Sequence, residues 1–156
     1  MSALFSECGL YRYRLTRTLH GDKNPLLIIG LNPSTADATH NDPTIRRCIG
    51  FAERWGHNAL VVANLFSYRS TQPKGLKKAR FPVGPETDRI LQEEAMKAGT
   101  ILAAWGAHGG LFDRNRDVLA LLQDYPLFCL GKTKAGHPRH PLYIRADTLP
   151  MPYSVK

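Results

Sequence analysis

A short apolar run that ends in a polar turn is the feature that most constrains the fold of this chain. Residues 26–30 read LLIIG and residues 31–37 read LNPSTAD. Buried parallel strands are near-continuous apolar runs, and ligand sites in open α/β sheets lie just beyond the carboxyl ends of such strands. Gly30 and Pro33 bend the chain there, and four hydrogen-bonding side chains crowd one turn. The segment therefore predicts a buried strand followed by a functional loop, with a strand and an N-capped turn as the alternative.

The other apolar runs predict a single α/β domain over residues 1–156. Buried strands are expected at 59–63, 100–104 and 126–130, and helices at 43–56, 86–98 and 112–123. The first of these helices is expected to begin with Asp42 as its N-cap and Pro43 at its first position. Residues 10–19 alternate apolar and polar side chains, which is typical of a half-exposed strand, and residues 67–85 are read as a long polar loop. Alternating strands and helices favour a three-layer α/β/α domain with a central, mostly parallel four-stranded sheet. The turns that follow the strands should then converge along one edge, at 31–37, 64–71, 105–110 and 131–143.

Charge and composition indicate which classes of partner and cofactor the chain could bind. The formal net charge is +8, which favours a polyanion such as nucleic acid, although a merely solvated basic surface remains open. No apolar stretch approaches the roughly 20 residues of a membrane helix, and the N-terminus lacks an apolar signal core. Cys8, Cys48 and Cys129 lie far apart, so we expect no disulfide framework, metal or other cofactor. These features predict a soluble, cytoplasmic monomer.

Four motifs occur in a fixed order that resembles the uracil-DNA glycosylase superfamily. They are GLNPSTAD at 30–37, ANLF at 63–66, AWGAHG at 104–109 and GHPRHPLY at 136–143. Across most of the chain the arrangement is most similar to a compact branch of that superfamily, the DUF1643 type, a domain of unknown function. The resemblance implies a uracil-DNA glycosylase-like fold and an enzyme that removes a base from DNA.

Motif by motif, the resemblance implies catalytic roles for three side chains and a base-reading role for a fourth. Asn32 is expected to position the attacking water, with Asp37 as a second candidate that supplies a carboxylate. Asn64 is expected to pair with a pyrimidine edge, and His140 to donate to a base oxygen. The residues alone leave structural alternatives open: an Asx turn for Asn32, loop bracing for Asp37, strand-end capping for Asn64 and a structural histidine at 140.

The resemblance also implies how a flipped base would be held. Ser34 stands where strict uracil enzymes place a bulky aromatic residue, so the pocket is expected to accept a 5-substituted pyrimidine. Phe66 is a candidate for stacking on the base, with Phe51 and Tyr68 as substitutes and core packing as the alternative. Ile144, with its neighbours at 142 and 143, is a candidate for the wedge that fills the vacated stack.

Exposed cations beside these motifs are candidate DNA contacts, with solvated surface charge as the alternative. They are Arg69, Lys74, Lys132, Lys134, Arg139 and Arg145.

The sequence thus predicts a monofunctional DNA glycosylase that hydrolyses the N-glycosidic bond of a flipped, modified pyrimidine, in repair or in defence against modified viral DNA. Two alternatives stay open. One is a non-catalytic nucleic-acid-binding module on the same fold, and the other is a hydrolase of free nucleosides or nucleotides.

Overall fold

The computed structural model describes residues 1–154, which contain seven strands. In chain order these are β1 (Ser2–Phe5), β2 (Arg12–Thr18), β3 (Leu26–Gly30), β4 (Ala59–Asn64), β5 (Thr100–Ala103), β6 (Phe128–Cys129) and β7 (Met151–Pro152). They form one mixed sheet in the order β1-β2-β4-β3-β5-β6-β7.

The four strands predicted to be buried form the parallel centre of this sheet. β3 pairs in parallel with β4 on one side and β5 on the other, and β5 pairs in parallel with β6. β2, β1 and β7 add antiparallel strands at the flanks. The expected α/β class is confirmed, but the four-stranded sheet is wrong. The predicted strand at 10–19 joins the sheet as β2, whereas β1 and β7, of four and two residues, carry too short a pattern to be recognised.

The helices are α1 (Pro43–Arg54), α2 (Lys74–Lys78), α3 (Thr87–Lys97) and α4 (Arg114–Leu121). Three of them confirm predicted helices, whereas α2 lies inside the segment read as a loop. α1 begins as its sequence predicts: the Asp42 side chain accepts a hydrogen bond from the Ile45 N–H at 2.8 Å, and Pro43 takes the first helical position. None of the helices in the described part of the chain is sufficiently long and apolar to traverse a membrane.

Two buried clusters hold the sheet and helices together. Leu27 and Ile29 of β3 belong to a cluster with residues of α3 and α4, whereas Leu26 and Ile28 belong to a cluster with residues of α1. Side chains alternate across a strand, so these clusters lie on opposite faces of the sheet. The carboxyl ends of the central strands stay open between them, next to the N-terminus of α1.

Candidate functional site

A cavity of about 610 Å³ lies beyond the carboxyl ends of β3, β4 and β5. Each of the four turns predicted to converge contributes to its lining, through Asn32, Ser70, His108 and His140 among others. The predicted convergence is therefore confirmed. The volume falls within the range of small-molecule and cofactor sites in proteins, roughly 300–1,000 Å³. The cavity is thus large enough for a nucleotide-sized ligand.

Asn64 is the most unusual side chain of this cavity. It is 4 % exposed, it lines the cavity, and its Nδ2 has no hydrogen-bond partner among the described residues. Its strand neighbour Gly30 makes room for the amide, since a Cβ on Gly30 would lie 2.8 Å from Asn64 Oδ1. A buried amide without a partner carries a desolvation cost of about 1–3 kcal/mol. A ligand carbonyl oxygen would satisfy it.

Asn32 is oriented by the loop that follows β4. Its Nδ2 donates to the Ser70 carbonyl at 2.8 Å and to the Pro33 carbonyl at 3.1 Å. Both donors of the amide point to backbone oxygens, so Oδ1 is the atom that remains to accept from a ligand or a water. Asn32 therefore braces the loop and offers an acceptor to the cavity with the same side chain.

His140 lines the cavity with one ring nitrogen already used. Its Nδ1 accepts from the Leu142 N–H at 3.2 Å, where it caps the short helical turn Pro141–Tyr143. This bond assigns the proton of the neutral ring to Nε2. Burial lowers the pKa of His140 below its ordinary value of 6.5, against the opposing effect of Asp42. At neutral pH the ring is therefore an uncharged donor.

Asp42 and Arg12 also line the cavity, and sequence reasoning did not assign either to the site. Asp42 was recognised only as a helix cap. Its Oδ1 accepts from the Ile45 N–H, and Oδ2 has no hydrogen-bond partner among the described residues. Its charge acts on His140 and on Arg12. The carboxylate that the sequence placed at position 37 is thus present in the cavity at position 42.

Arg12 is a buried cation. It is 2 % exposed, its Nη1 donates to the Ala36 carbonyl at 3.0 Å, and its Nε has no partner among the described residues. Burial lowers the pKa of Arg12 to about 10, partly offset by the charge of Asp42. The guanidinium stays protonated at neutral pH and gives the cavity a positive charge. The alternating pattern of residues 10–19, typical of a half-exposed strand, does not show that this arginine is buried.

Apolar side chains also line the cavity. They include Ile28, Ile45, Val62 and Trp105, the last of which is 1 % exposed. Cys48 also lines the cavity, and burial raises the pKa of its thiol to about 12, so it stays neutral. Among residues 1–154, no group of three or more His, Cys, Asp or Glu side chains is placed to hold a metal ion.

Two of the predicted catalytic and base-binding residues, Asp37 and Phe66, do not line the cavity. The Asp37 carboxylate accepts from the backbone N–H groups of Thr39 at 3.0 Å and His40 at 2.8 Å. These bonds lower its pKa to about 2, and its side chain, 42 % exposed, does not line the cavity. Phe66 is fully buried in the cluster that includes α3 and α4. The structure thus gives Asp37 a loop-bracing position and Phe66 a core position.

The loop between β3 and α1 is fixed by a second buried arginine. Arg17, 2 % exposed, donates to the Asn41 side chain at 2.8 Å and to the carbonyl of Asp37 at 2.5 Å. It also donates to the carbonyls of Ala38 and His40. These bonds hold the loop whose end presents Asp42 to the cavity.

Ser34, Tyr143 and Ile144 form part of the rim and wall. Ser34 presents a small side chain to the cavity. Ile144 is 9 % exposed and packs in the cluster that includes α1, whereas Tyr143 is 82 % exposed and lies 5.9 Å from the His140 ring, centroid to centroid. Of the three candidate wedge positions, 143 has the most exposed side chain.

The six predicted DNA-contacting cations are all exposed, and they differ in what they touch. Arg139 lines the cavity, and its Nε donates to the Lys132 carbonyl at 3.4 Å. Arg145 pairs with Asp147 at 3.0 Å, and the Arg69 guanidinium lies 4.9 Å from the Phe5 ring centroid. Lys74 and Lys134 make no side-chain hydrogen bond or ion pair within the described chain. Arg139 is thus the predicted cation that the structure joins to the cavity.

The chain belongs to the family described as a protein of unknown function (DUF1643), whose model matches residues 12–142. No curated protein and no solved structure matches the chain. The matched range runs from Arg12 to just beyond His140, so it includes Asn32, Asp42 and Asn64 as well. These five polar residues of the cavity lie inside the matched range.

Proposed function

We propose that this protein is a DNA glycosylase that hydrolyses the N-glycosidic bond of a flipped pyrimidine, and that its family is a compact branch of the uracil-DNA glycosylase-like superfamily. The observation that carries the proposal is the unpartnered amide of Asn64 in a nucleotide-sized cavity. An amide has one donor group and one acceptor, which match a carbonyl oxygen and the ring N–H of a pyrimidine. The clusters on both faces of the sheet support the three-layer arrangement that such a fold requires.

The chemistry assigns opposite charges to opposite sides of the scissile bond. When C1′–N1 breaks, its electron pair leaves with the base, and the sugar becomes electron-poor. Asn64 and the Nε2–H of His140 stabilise the charge on the base oxygen, and the positive charge of the buried Arg12 also favours it. The carboxylate of Asp42 stabilises the sugar. The Nε2–H of His140 is already oriented by the protein, so it stabilises the leaving base better than a donor in free solution would.

Water attack completes the reaction. A water held by Asn32 Oδ1 bonds through its oxygen to C1′ and gives its proton to the free Oδ2 of Asp42. This mechanism places Asp42 in the role expected of Asp37, because the Asp37 carboxylate is bound to backbone N–H groups outside the cavity. No covalent intermediate on a lysine is needed, so the product is an abasic site.

The size of residue 34 bears on the substrate. Ser34 leaves space in the cavity wall, and we propose that this space receives a substituent at the 5-position of the pyrimidine. Replacement of Ser34 by Tyr should then abolish release of the larger base. Retained activity on that base in the Ser34→Tyr protein would contradict this assignment.

The function is tested by base release from labelled oligonucleotides that carry uracil, mismatched thymine, 5-hydroxymethylated or glucosylated pyrimidines, followed by alkali cleavage at abasic sites. We expect release of at least one base by the unaltered protein, and a loss of about 10²-fold or more in Asn32→Ala and in Asp42→Asn. DNA binding without release would favour the binding module. Release from free nucleosides at the same rate as from DNA would favour the nucleoside hydrolase.

A further inference from the structure

A second concave surface lies on the outer side of α1 and is independent of the cavity lining. This surface, the α1 groove, has a volume of about 370 Å³. Its walls include Arg46, Arg47 and Arg54 of α1, with Leu142 and Ala146 from the segment after His140. Within residues 1–154 none of its three arginines forms an ion pair, and no acidic residue lines it. The groove therefore carries an uncompensated positive charge.

Gly50 lies in this groove at the middle of α1, where packing does not explain a glycine. A Cβ at this position would meet nothing within 4 Å, and the backbone there has ordinary helical geometry. Glycine inside a helix costs about 0.5–1 kcal/mol relative to alanine. The protein thus carries this cost without any internal contact that needs the space. The open helix backbone lets an external chain approach closely between Arg46 and Arg54.

The groove and the cavity are lined by neighbouring residues at two places. Pro43 lines the groove and the next residue, Thr44, lines the cavity. In the facing segment Leu142 lines the groove and Tyr143 lines the cavity. A chain that leaves the cavity beside the exposed Tyr143 would therefore reach the arginines directly.

We propose that the α1 groove binds the phosphate backbone of the nucleic acid whose flipped nucleotide occupies the cavity, an inference that rests on the proposed function. Arg46 and Arg54 are two helical turns apart, which is about 12 Å, or roughly three nucleotide steps of 3.4 Å. Arg46 Nη1 donates to the Asn41 carbonyl at 3.0 Å, but neither arginine has a carboxylate partner among the described residues, and this spacing matches a row of phosphates. The groove makes a polynucleotide, rather than a free nucleotide, the substrate of this protein.

The first test measures how salt affects binding of a labelled DNA duplex that carries a stable abasic-site analogue. Each phosphate contact adds about 0.9 to the slope of log affinity against log salt. The Arg47→Gln/Arg54→Gln protein should lose about 1.8 from this slope. The control, Lys97→Gln/Arg116→Gln, makes the same change in net charge on helices of the opposite cluster and should leave the slope unchanged.

The second test places a charge on the open helix face. Gly50→Glu should weaken duplex binding at least tenfold, while Gly50→Gln, of the same size and neutral, should weaken it less. The Cβ of either side chain enters open space, so both proteins should keep their melting temperature within a few degrees.

The outcomes separate the groove from the glycosylase activity. Equal slopes for the two double variants, or no duplex binding at all, would overturn the groove assignment. The assignment would also be overturned if the Arg47→Gln/Arg54→Gln protein lost binding to phosphatidylserine vesicles while its binding to the duplex stayed unchanged. A slope that falls as expected in a protein that releases no base from any substrate would keep the groove and reject the proposed chemistry.

Discussion

Replacement of Gly30 by Ala tests whether the position of the Asn64 amide is set by the empty space beside it. The new Cβ would lie 2.8 Å from Asn64 Oδ1, about 0.6 Å closer than the 3.4 Å at which ordinary contact begins. The φ of Gly30 is not in the left-handed region, so the backbone itself accepts alanine. Asn64 is 4 % exposed, so its amide can relieve this contact only by shifting within a buried site. The free energy of unfolding should fall by about 1–3 kcal/mol, the usual range for overpacking.

The assay is a double-mutant cycle on thermal unfolding. In a domain of this size 1 kcal/mol corresponds to about 2–4 °C in melting temperature. Gly30→Ala should lower the melting temperature in the unaltered background and have no effect when Asn64 is already Ala, because the contact is then gone. Gly50→Ala is the control, because it makes the same chemical change where a Cβ meets nothing within 4 Å. It should raise the free energy of unfolding by about 0.5–1 kcal/mol and therefore raise the melting temperature.

The same variant reports on function. A shift of the amide by several tenths of an ångström should reduce base release about tenfold or more, since misplacement by about 1 Å can cost 10²-fold. An equal loss of stability from Gly30→Ala with and without Asn64 would refute the reasoning. The cost would then arise from the strand and not from the amide.

Three further predictions concern polar groups of the cavity. Asp42→Asn should keep the cap on the Ile45 N–H and change the free energy of unfolding by less than about 1 kcal/mol, whereas Asp42→Ala should lower it by about 0.5–2 kcal/mol. Both variants should abolish base release, which is measured together with thermal melting. Because the pKa of His140 is lowered in the folded state, the unfolded chain binds its proton more readily, so stability should be full above pH 6.5 and decline below it. His140→Asn, which can still cap the turn, should reduce the drop in melting temperature between pH 8 and pH 5; an unchanged drop would exclude this histidine. Asn64→Leu removes an unpartnered buried amide and should raise the melting temperature while eliminating base release, and a lower melting temperature would show that the amide is already satisfied.

Local pattern predicted the centre of the fold because its signals are local. The run at 26–30 became β3 with the predicted bounds, and Asp42 and Pro43 began α1 as their chemistry requires. The position of the cavity followed from the same pattern, since parallel strands bring their carboxyl ends to one edge. β7 escaped prediction because two residues have no period to detect.

The composition of the cavity depended on packing that no local pattern records. Arg12 alternates with apolar residues as a solvent-facing side chain would, yet it is buried, and nothing nearby in the sequence distinguishes it from Arg14. Asp37 and Asp42 both follow β3, and the loop held by Arg17 decides which of them reaches the cavity. The helix cap predicted for Asp42 is confirmed, but its position in the cavity could be recognised only from the tertiary structure.

The distribution of unpaired polar atoms supports the proposal that the cavity binds a ligand. Five buried polar side-chain atoms lack a partner among the described residues, and three of them belong to the cavity-lining residues Arg12, Asn64 and Trp105. Random imperfections of a fold would be spread over the whole core, since each costs about 1–3 kcal/mol wherever it occurs. The absence of a side chain at Gly30 keeps one of these groups, the Asn64 amide, in place, so the fold gives up stability at this position. A ligand that offers a carbonyl oxygen to Asn64 and negative charge to Arg12 would recover that stability on binding, and a base leaving as an anion has both.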